Sequence, residues 1–282
     1  MVIGGWVGYR IVRMVSGSPP RQTHCSGQAY APGAKVTQLL GPSIWNDFSG
    51  KVVLDFGCGT GEEAIEIARH GARRVIGLDN RESVLAVARE RARNAGVDDV
   101  CEFTTNVTTP VDAIVSIDAF EHFSDPEAVL TTMRTLLRPG GRIYVAFGPP
   151  WFHPFGGHLF SVFPWAHLVF TEKALLRWRS EFKTDGARRF SEVDGGLNGM
   201  TVHRFRRLVS DSGCRIAQFE AVPIRRLRYL HMPFTREFFT SVVRCTLEQA
   251  AIRDDRMEIS VERPHAEPQA GNTSDDLHQH VG

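Results

Sequence analysis

Three absences narrow the functions open to this sequence of 282 residues. The chain carries almost no net charge, +1 at neutral pH, so no overall electrostatic attraction draws it to nucleic acid or to an anionic membrane. It has only five cysteines, an odd number without a Cys-x-x-Cys pair, which is typical of a reducing compartment rather than of a disulfide framework. It also contains no internal repeat. These absences predict a cytoplasmic protein that does not have nucleic acid as a partner.

Long apolar runs are also missing. Residues 1–15 are fairly apolar, but Arg10 and Arg13 interrupt them, and no stretch reaches the roughly 18 apolar residues of a membrane-spanning helix. The positive charges follow the apolar residues, whereas in a signal peptide they precede them. We therefore expect residues 1–45 to form an N-terminal extension or cap, with no stable membrane insertion. The polar composition of residues 253–282 predicts a disordered tail.

The most informative residues form one short run. Residues 52–61 read Val-Val-Leu-Asp-Phe-Gly-Cys-Gly-Thr-Gly, an apolar strand that breaks into a glycine turn, and a helix from Glu62 to His70 follows. Glycines have no Cβ atom, so a ligand can lie against the backbone of such a turn. A second apolar run, Val75 to Leu78, ends at Asp79, whose carboxylate is placed to bind the two hydroxyls of a ribose.

The glycine spacing argues against a dinucleotide. A dinucleotide fingerprint reads Gly-x-Gly-x-x-Gly and leaves room for a pyrophosphate at the helix N-terminus. Here the turn reads Asp-x-Gly-x-Gly-x-Gly, and Glu62 and Glu63 open the helix, where they would repel a phosphate. We therefore expect a nucleoside without phosphates, and a positive charge on it would suit these acids. A nicotinamide-dependent oxidoreductase is correspondingly disfavoured.

This turn resembles the first motif of the class I S-adenosylmethionine-dependent methyltransferases. The resemblance continues through a third strand, Cys101 to Thr104, a fourth, Asp112 to Asp118, and a fifth, Arg142 to Phe147. Asp125 is expected to cap a helix between the last two strands. The Glu-His pair after strand four and the Leu-x-Pro-Gly-Gly turn before strand five are similar to the branch that methylates small molecules. These motifs together cover about residues 50–148.

The resemblance implies an α/β fold with a doubly wound, Rossmann-like sheet of seven strands. Such a sheet is mostly parallel, with one antiparallel edge strand, and here it would carry an inserted cap. A late helix, Thr201 to Ser212, and a sixth strand, Cys214 to Val222, fit this fold, although the partner of the sixth strand is not evident from the sequence. We expect a methyltransferase domain over residues 46–252, with an insertion over residues 148–199 that covers the methyl acceptor.

The resemblance also implies S-adenosylmethionine as the cofactor, together with the residues that bind it. These are Asp55, Gly57, Cys58, Gly59, Gly61, Asp79, Asn80, Asn106, Val107 and Asp118. The first five would hold the amino acid end, Asp79 the ribose, Asn80, Asn106 and Val107 the adenine, and Asp118 the methionine side. Asn106 replaces the Asp that is usual in the family but keeps a carbonyl acceptor for the adenine amino group.

The insertion is rich in aromatic residues. Residues 151–170 contain seven of them: Trp151, Phe152, Phe155, Phe160, Phe163, Trp165 and Phe170. In an open α/β sheet the ligand crevice lies outside the carboxyl ends of the strands, and the insertion leaves from such an end. It can therefore roof the cofactor, exclude water and accept a flat or apolar substrate. The other interpretation is a small aromatic core beneath the cap, and both can hold in part.

Histidines offer two kinds of chemistry. His153, His158 and His167 lie in the insertion, but their spacing matches no standard zinc pattern, so we expect no metal. Methyl transfer to a hydroxyl or a protonated amine needs a base, and His122 and His153 are the candidates. A structural hydrogen bond or a contact with the cofactor is an equally good interpretation of His122.

We therefore expect an enzyme that transfers the methyl group of S-adenosylmethionine to an oxygen, nitrogen or carbon of a small, aromatic or apolar metabolite. The Asp/Asn-Pro-Pro-aromatic motif of enzymes that methylate base amino groups is missing after strand four, which again argues against nucleic acid. A cofactor-binding partner or sensor subunit without turnover is the alternative. Neither the acceptor nor the oligomeric state follows from the sequence.

Overall fold

The computed structural model describes residues 2–16, 33–193 and 195–250, and the predicted disordered tail, residues 253–282, lies outside them. The strands are β1 (Val52–Phe56), β2 (Arg74–Leu78), β3 (Cys101–Thr104), β4 (Val111–Ile117), β5 (Leu137–Phe147), β6 (Cys214–Pro223) and β7 (Thr240–Gln249). The helices are α1 (Gly5–Ser16), α2 (Lys35–Leu40), α3 (Ile44–Phe48), α4 (Glu62–Arg69), α5 (Glu82–Ala95), α6 (Pro126–Leu136), α7 (Ala166–Val169), α8 (Glu172–Arg179), α9 (Val202–Asp211) and α10 (Arg236–Phe239). Within these described segments, none of the helices combines the length and the apolar character that crossing a bilayer requires.

All seven strands form one sheet in the order β3-β2-β1-β4-β5-β7-β6. Strands β1 to β5 are parallel, and β7 runs antiparallel to both of its neighbours, β5 and β6. The predicted seven-stranded, mostly parallel, doubly wound sheet is confirmed. Its antiparallel strand is β7, one place in from the edge strand β6, and β7 is the partner that the sequence did not reveal. The strand order reverses between β1 and β4, which opens a crevice at their carboxyl ends.

Strand β5 begins earlier than predicted. Leu137 pairs with Val111, the chain then loops out, and pairing resumes between Arg142 and Ala113. The loop contains Gly140 at φ +79°, a conformation that favours glycine. The turn predicted before strand five is therefore a bulge inside a longer strand, and Arg142 marks where regular pairing resumes.

The predicted helix cap between β4 and β5 is present. The Asp125 carboxylate accepts a hydrogen bond from the backbone N–H of Ala128 at 3.0 Å, and Pro126 is the first helical residue of α6. Side-chain caps of this kind stabilise a helix by roughly 1 kcal/mol. This local pattern could be read from the sequence because every atom of the cap lies within four residues.

The two faces of the sheet carry separate apolar cores. Neighbouring residues of β1 point to opposite faces, so Val53 packs with α2 to α5 while Leu54 packs with α6 and α9. Each buried aliphatic side chain contributes roughly 1.5–3 kcal/mol through the removal of apolar surface from water. Both faces of the sheet are thus covered, and its carboxyl end is the edge at which β1, β2 and β4 meet the loops that follow them.

The insertion after β5 has an apolar core of its own. Phe160, Phe170 and Trp178 are buried there together with Val12 of α1, and Ile3 pairs with Phe170 in an isolated parallel bridge. The N-terminal helix therefore packs on the insertion, not on the sheet. For Phe160 and Phe170 the interpretation as a small core is the one that the structure shows, whereas Phe155 is 49% exposed.

Candidate functional site

The glycine turn between β1 and α4 adopts the backbone that its sequence predicts. Gly57, Gly59 and Gly61 have φ values of +85°, +50° and +79°. A Cβ atom on Gly61 would lie 2.8 Å from the Phe103 ring, and one on Gly57 would lie 2.9 Å from Ala119 Cβ. A Cβ on Gly59 would meet no atom of the described chain within 4 Å. Two glycines are thus required for packing, and Gly59 forms the open side of the turn, against which a ligand can lie.

Asp79 connects the end of β2 to this turn. Its carboxylate is buried and accepts hydrogen bonds from the backbone N–H groups of Gly59, at 3.1 Å, and Arg81, at 2.9 Å. The Arg81 side chain forms an ion pair with the same carboxylate at 3.2 Å. The acid is therefore held beside the open face of the turn, as ribose recognition requires.

The residues predicted to border the adenine lie on the neighbouring loops. Asn80 follows Asp79 and is exposed, and Asn106 follows β3 and is also exposed. The Asn106 backbone is held by Thr104, whose hydroxyl accepts from the Asn106 N–H at 3.2 Å and donates to its carbonyl at 3.0 Å. Val107 packs against the core on the α6 side of the sheet. The loops after β2 and β3 thus present two amide side chains and one apolar residue at the carboxyl end.

Asp55, the last acid before the turn, is buried with one of its carboxylate oxygens lacking a hydrogen-bond partner among the described residues. It is 2% exposed, and its Oδ2 atom has no hydrogen-bond partner within the described part of the chain. Burial, reinforced by the nearby Glu63 carboxylate, raises the pKa of Asp55 well above its usual value. An unsatisfied buried acceptor is costly, so this oxygen is available to a hydrogen-bond donor or a cation that enters the crevice.

Lys35 is a functional candidate that sequence reasoning missed. It is the first residue of α2, and its Nζ atom lies 2.6 Å from Glu63 Oε1 and 2.9 Å from Asp118 Oδ2. Burial opposes the charge of Lys35, but the two carboxylates more than offset it and hold the lysine pKa above its usual value. The Lys35 ammonium group therefore lies between the start of α4, which carries Glu63, and the end of β4, which is followed by the predicted site residue Asp118.

The placement of Lys35 depends on a second buried acid. Glu66 of α4 is 4% exposed and accepts hydrogen bonds from the backbone N–H groups of Val36, at 3.1 Å, and Thr37, at 3.5 Å. It caps α2 from outside the helix. A lysine at a helix N-terminus opposes the helix dipole, and that mismatch was the one sequence signal that could have singled out Lys35. Its partners come from distant segments, so spacing alone could not supply them.

The Glu-His pair after β4 meets a histidine from the insertion. One ligand atom each of Glu121, His122 and His158 lies within 4.8 Å of the others, and the rings of the two histidines are 5.2 Å apart. The Glu121 Oε1 atom accepts from the Gly148 N–H at 3.3 Å. Burial, together with the Asp118 carboxylate, raises the pKa of Glu121 to about 8. The sequence predicted His122 as a site residue but did not bring Glu121 and His158 to it.

The tautomer of His122 follows from its surroundings. Its Nδ1 atom lies 2.7 Å from the carbonyl oxygen of Gly196, which can only accept a hydrogen bond. Nδ1 therefore carries the hydrogen, and the lone pair of the neutral ring is on Nε2. His158 has a φ of +50°, an uncommon value for a residue with a side chain, and burial lowers its pKa to about 3.

The two remaining histidines of the insertion have different surroundings. His153 lies outside the Glu121–His122–His158 group, and its Nδ1 atom accepts the backbone N–H of Phe155 at 3.0 Å. Burial, together with His167, lowers the pKa of His153 to about 4. His167 is buried with both ring nitrogens engaged, one by Ser161 Oγ at 2.9 Å and the other by the Trp151 carbonyl at 2.6 Å. His167 is thus a structural residue.

Comparison with known proteins shows what the part of the chain around this site is similar to. Residues 47–148 match the family model Methyltransf_31, described as a methyltransferase domain. A ubiquinone biosynthesis O-methyltransferase of Aeromonas salmonicida (strain A449) is 36% identical over 103 residues, which cover 34% of this chain and 43% of that protein. The match thus spans less than half the length of this curated relative.

Solved structures extend the similarity in fold. The magnesium protoporphyrin IX methyltransferase of Synechocystis PCC 6803, determined with bound SAH, has a TM-score of 0.51 at 16% identity, covering 87% of this chain and 95% of that one. The [4+2]-cyclase SpnF has a TM-score of 0.52 at 16% identity, covering 86% and 92%. At these identities the likeness concerns the fold alone.

The family match has a clear structural meaning. It runs through β1 to β5, the parallel part of the sheet that carries both the glycine turn and Asp79. The sheet order and the open turn agree with it independently. Residues 47–148 are therefore similar in sequence to a methyltransferase domain, and they lie on a sheet of the class I S-adenosylmethionine-dependent methyltransferase type.

Proposed function

We propose that this protein transfers the methyl group of S-adenosylmethionine to an oxygen, nitrogen or carbon of a small, aromatic or apolar molecule. The observation that carries the proposal is the hydrogen bond from Gly59 N–H to the buried Asp79 carboxylate. It holds the acid that we assign to the ribose beside a backbone turn that is open to a ligand. The similarity to an O-methyltransferase of ubiquinone biosynthesis favours oxygen as the acceptor atom.

The crevice fits this cofactor chemically. We assign the amino acid end to Asp55, Gly57, Cys58, Gly59 and Gly61, the ribose to Asp79, the adenine to Asn80, Asn106 and Val107, and the methionine side to Asp118. S-adenosylmethionine carries an ammonium and a sulfonium as well as a carboxylate. The unsatisfied Asp55 oxygen and the Glu63 and Asp118 carboxylates suit the cations, and Lys35 supplies a positive charge for the cofactor carboxylate.

The residues contribute mainly alignment and the exclusion of water. When bound, S-adenosylmethionine supplies a methyl group that its positive sulfur has already activated. The acceptor must lie in line with that methyl group, and a well-oriented pair gains several kcal/mol over free reactants, up to about 7–11 kcal/mol. The insertion, residues 148–199, is proposed to cover the acceptor, with Phe155 as an exposed aromatic residue. A methyltransferase domain over residues 46–252 and a cytoplasmic location complete the proposal.

An acceptor hydroxyl must also lose its proton, and we propose His122 or His153 as the base. The neutral tautomer of His122 has its lone pair on Nε2, because Nδ1 donates its hydrogen to the Gly196 carbonyl. That geometry favours His122 over His153, whose Nδ1 already accepts the Phe155 N–H. If neither His122→Ala nor His153→Ala changed turnover near neutral pH, both would be removed from this role.

The alternative is a subunit that binds the cofactor without transferring its methyl group. Fold alone does not decide between the two, because function resides in the site, and a protein named as a [4+2]-cyclase shares this fold. The aromatic insertion beside the crevice favours an acceptor and hence turnover. The alternative predicts binding of both S-adenosylmethionine and S-adenosylhomocysteine without any methylated product.

The decisive experiment is calorimetric titration of the full chain with S-adenosylmethionine, S-adenosylhomocysteine and, separately, NADH. We expect binding of the first two only, abolished in Asp79→Ala and retained in the matched control Asp99→Ala, an exposed acid between α5 and β3. Transfer of radiolabelled methyl from S-adenosylmethionine to phenolic acceptors then separates the enzyme from the binding subunit. Binding of NADH, or of neither adenosyl compound, would overturn the proposal.

A further inference from the structure

We propose that Glu121, His122 and His158 bind a divalent transition-metal ion such as Zn²⁺. Each residue offers one ligand atom, and the three atoms lie within 4.8 Å of one another, close enough for one ion to contact all of them. Glu121 and His122 directly follow β4 in the chain, whereas His158 comes from the insertion. Spacing within the insertion could not reveal this set, because two of its members lie in another segment.

Two side-chain atoms of this group have no hydrogen-bond partner among the described residues. Glu121 is 3% exposed, and its Oε2 atom has no hydrogen-bond partner within residues 2–16, 33–193 and 195–250. The Nε2 atom of His158 is likewise buried and lacks a partner among those residues. Buried polar groups are nearly always paired, so two orphans in one group call for an explanation. A cation between them would satisfy both.

The surroundings of the other ligand atoms are those of a metal site. A histidine ligand characteristically donates its second ring N–H to a carbonyl or a carboxylate, which fixes the ring and makes it a better ligand. His122 does this with the Gly196 carbonyl at 2.7 Å, and its Nε2 lone pair is left for an ion. Glu121 is fixed in the same way, because its Oε1 atom accepts the Gly148 N–H.

The donor set selects the kind of ion. Two imidazoles and one carboxylate suit Zn²⁺, Fe²⁺, Co²⁺ and Ni²⁺, whereas Mg²⁺ and Ca²⁺ prefer oxygen ligands throughout. Three protein ligands also leave a coordination position open, as in catalytic zinc sites, where an oxygen of water or of a substrate can bind. The ion would link the insertion to the end of β4.

This inference rests on the proposed function only for the role of the ion, not for its binding. Because the single Nε2 lone pair of His122 cannot serve both tasks, the ion takes His122 away from proton removal. A divalent ion also lowers the pKa of an oxygen bound to it, so it would itself make an acceptor hydroxyl easier to ionise. The proton would pass to solvent.

The test uses full-length protein freed of metal with EDTA and then titrated with CoCl₂, followed by its visible absorption, and with ZnCl₂, followed by calorimetry. We expect one ion to bind per protein chain, and we expect the visible absorption bands of bound Co²⁺ to be those of an ion with nitrogen and oxygen ligands. Glu121→Gln keeps the shape of the side chain, and His158→Ala alters only the insertion. Each should weaken Zn²⁺ binding at least 10-fold, in line with the loss of one of three ligands.

Control variants separate this site from other histidines. The C-terminal sequence contains His278 and His280, which could bind Zn²⁺ by themselves. The double variant His278→Ala/His280→Ala should therefore keep the high-affinity site. Equal Zn²⁺ affinity in the wild type, Glu121→Gln and His158→Ala would overturn the proposal, as would loss of the site in the C-terminal double variant.

The two proposals fail in distinguishable ways. S-adenosylhomocysteine titrated into the same metal-free protein reports on the cofactor crevice without using the ion. Binding of that compound without Zn²⁺ binding would overturn the metal site alone and leave His122 as the base. Zn²⁺ binding lost in Glu121→Gln would support the metal site whether or not the adenosyl compound binds.

Discussion

Two regions of the molecule build the crevice in different ways. Residues 47–148 form it from local patterns: a strand, a glycine turn, a helix, and an acid at the end of the next strand. The insertion, residues 148–199, and helix α2 contribute single side chains, His158 and Lys35, whose partners lie far away in the sequence. In residues 47–148 the position of the site residues is thus set by local backbone geometry, whereas the positions of His158 and Lys35 are set by tertiary packing. The match to the family model ends at residue 148, where the insertion begins.

The largest effect should come from filling the glycine turn. Gly61→Val would force a Cβ within 3 Å of Phe103 and Ala88 at a φ of +79°, so we expect a loss of roughly 2–4 kcal/mol of stability and of cofactor binding. Gly96→Ala is the control, since a Cβ there meets no described atom within 4 Å and only the φ of +67° is strained. It should cost about 1 kcal/mol in urea unfolding and leave binding intact.

A large but confined effect is expected in the core of the insertion. Trp178 of α8 is 2% exposed, and Trp178→Ala should destabilise this core by roughly 3–5 kcal/mol. If the stability of the insertion is independent of that of residues 47–148, the amide protons of α8 will exchange faster while the affinity for S-adenosylhomocysteine is unchanged. The exposed Phe155→Ala should alter neither quantity. Loss of cofactor binding in Trp178→Ala would contradict the independence of the insertion core from residues 47–148.

A smaller effect is expected at Lys35. If its cation pairs with the cofactor carboxylate, Lys35→Ala should weaken S-adenosylhomocysteine binding about 10-fold, equivalent to about 1.4 kcal/mol. The affinity for 5′-methylthioadenosine, which lacks the amino acid part, should fall much less. Lys173→Ala, an exposed lysine of α8, is the control. An equal loss for both ligands would mean that Lys35 acts only through the packing of α2.

The smallest effect is a shift in acid stability. Arg179 is buried and donates to the Asp185 carboxylate at 2.7 Å, and this bond lowers the pKa of Asp185 to about 2 from 3.8. A lowered pKa in the folded state gives stability that is complete above pH 3.8 and is lost as pH falls towards 2. The melting temperature of the wild type should fall over that window, and Asp185→Asn should show a shallower fall. Parallel curves would remove this ion pair as a cause.

The sequence revealed most where the causes are local. The glycine turn, the Asp125 cap and strands β1 to β4 follow from neighbouring residues, and each is where the pattern predicts it. Strand β7 was missed although Val243, Cys245 and Leu247 alternate as buried residues, a period-two signal that was present in the sequence. The missed strand matters, because β7 completes the sheet between β5 and β6.

The candidate site was less accessible to sequence reasoning. Asp79 and the turn came from one motif, and His122 from its position after β4. Lys35 and His158 could not be predicted as partners of these residues, because no spacing rule relates a residue on α2 or in the insertion to the end of a strand. Their roles are created only when three separate segments pack at the same edge of the sheet.

The capping of α2 by Glu66 determines where the chain could be cut without disturbing the candidate site. The family match begins at residue 47, after Lys35 and after the apolar residues of α2, Val36 and Leu39, that cover one face of the sheet. A fragment cut at that boundary would keep the glycine turn and Asp79 and still lose Lys35, the cation between Glu63 and Asp118. Glu66 would be left without the two N–H groups it accepts from. A fragment that keeps the whole site must therefore begin before residue 35 and is longer than the part of the chain that matches the family model.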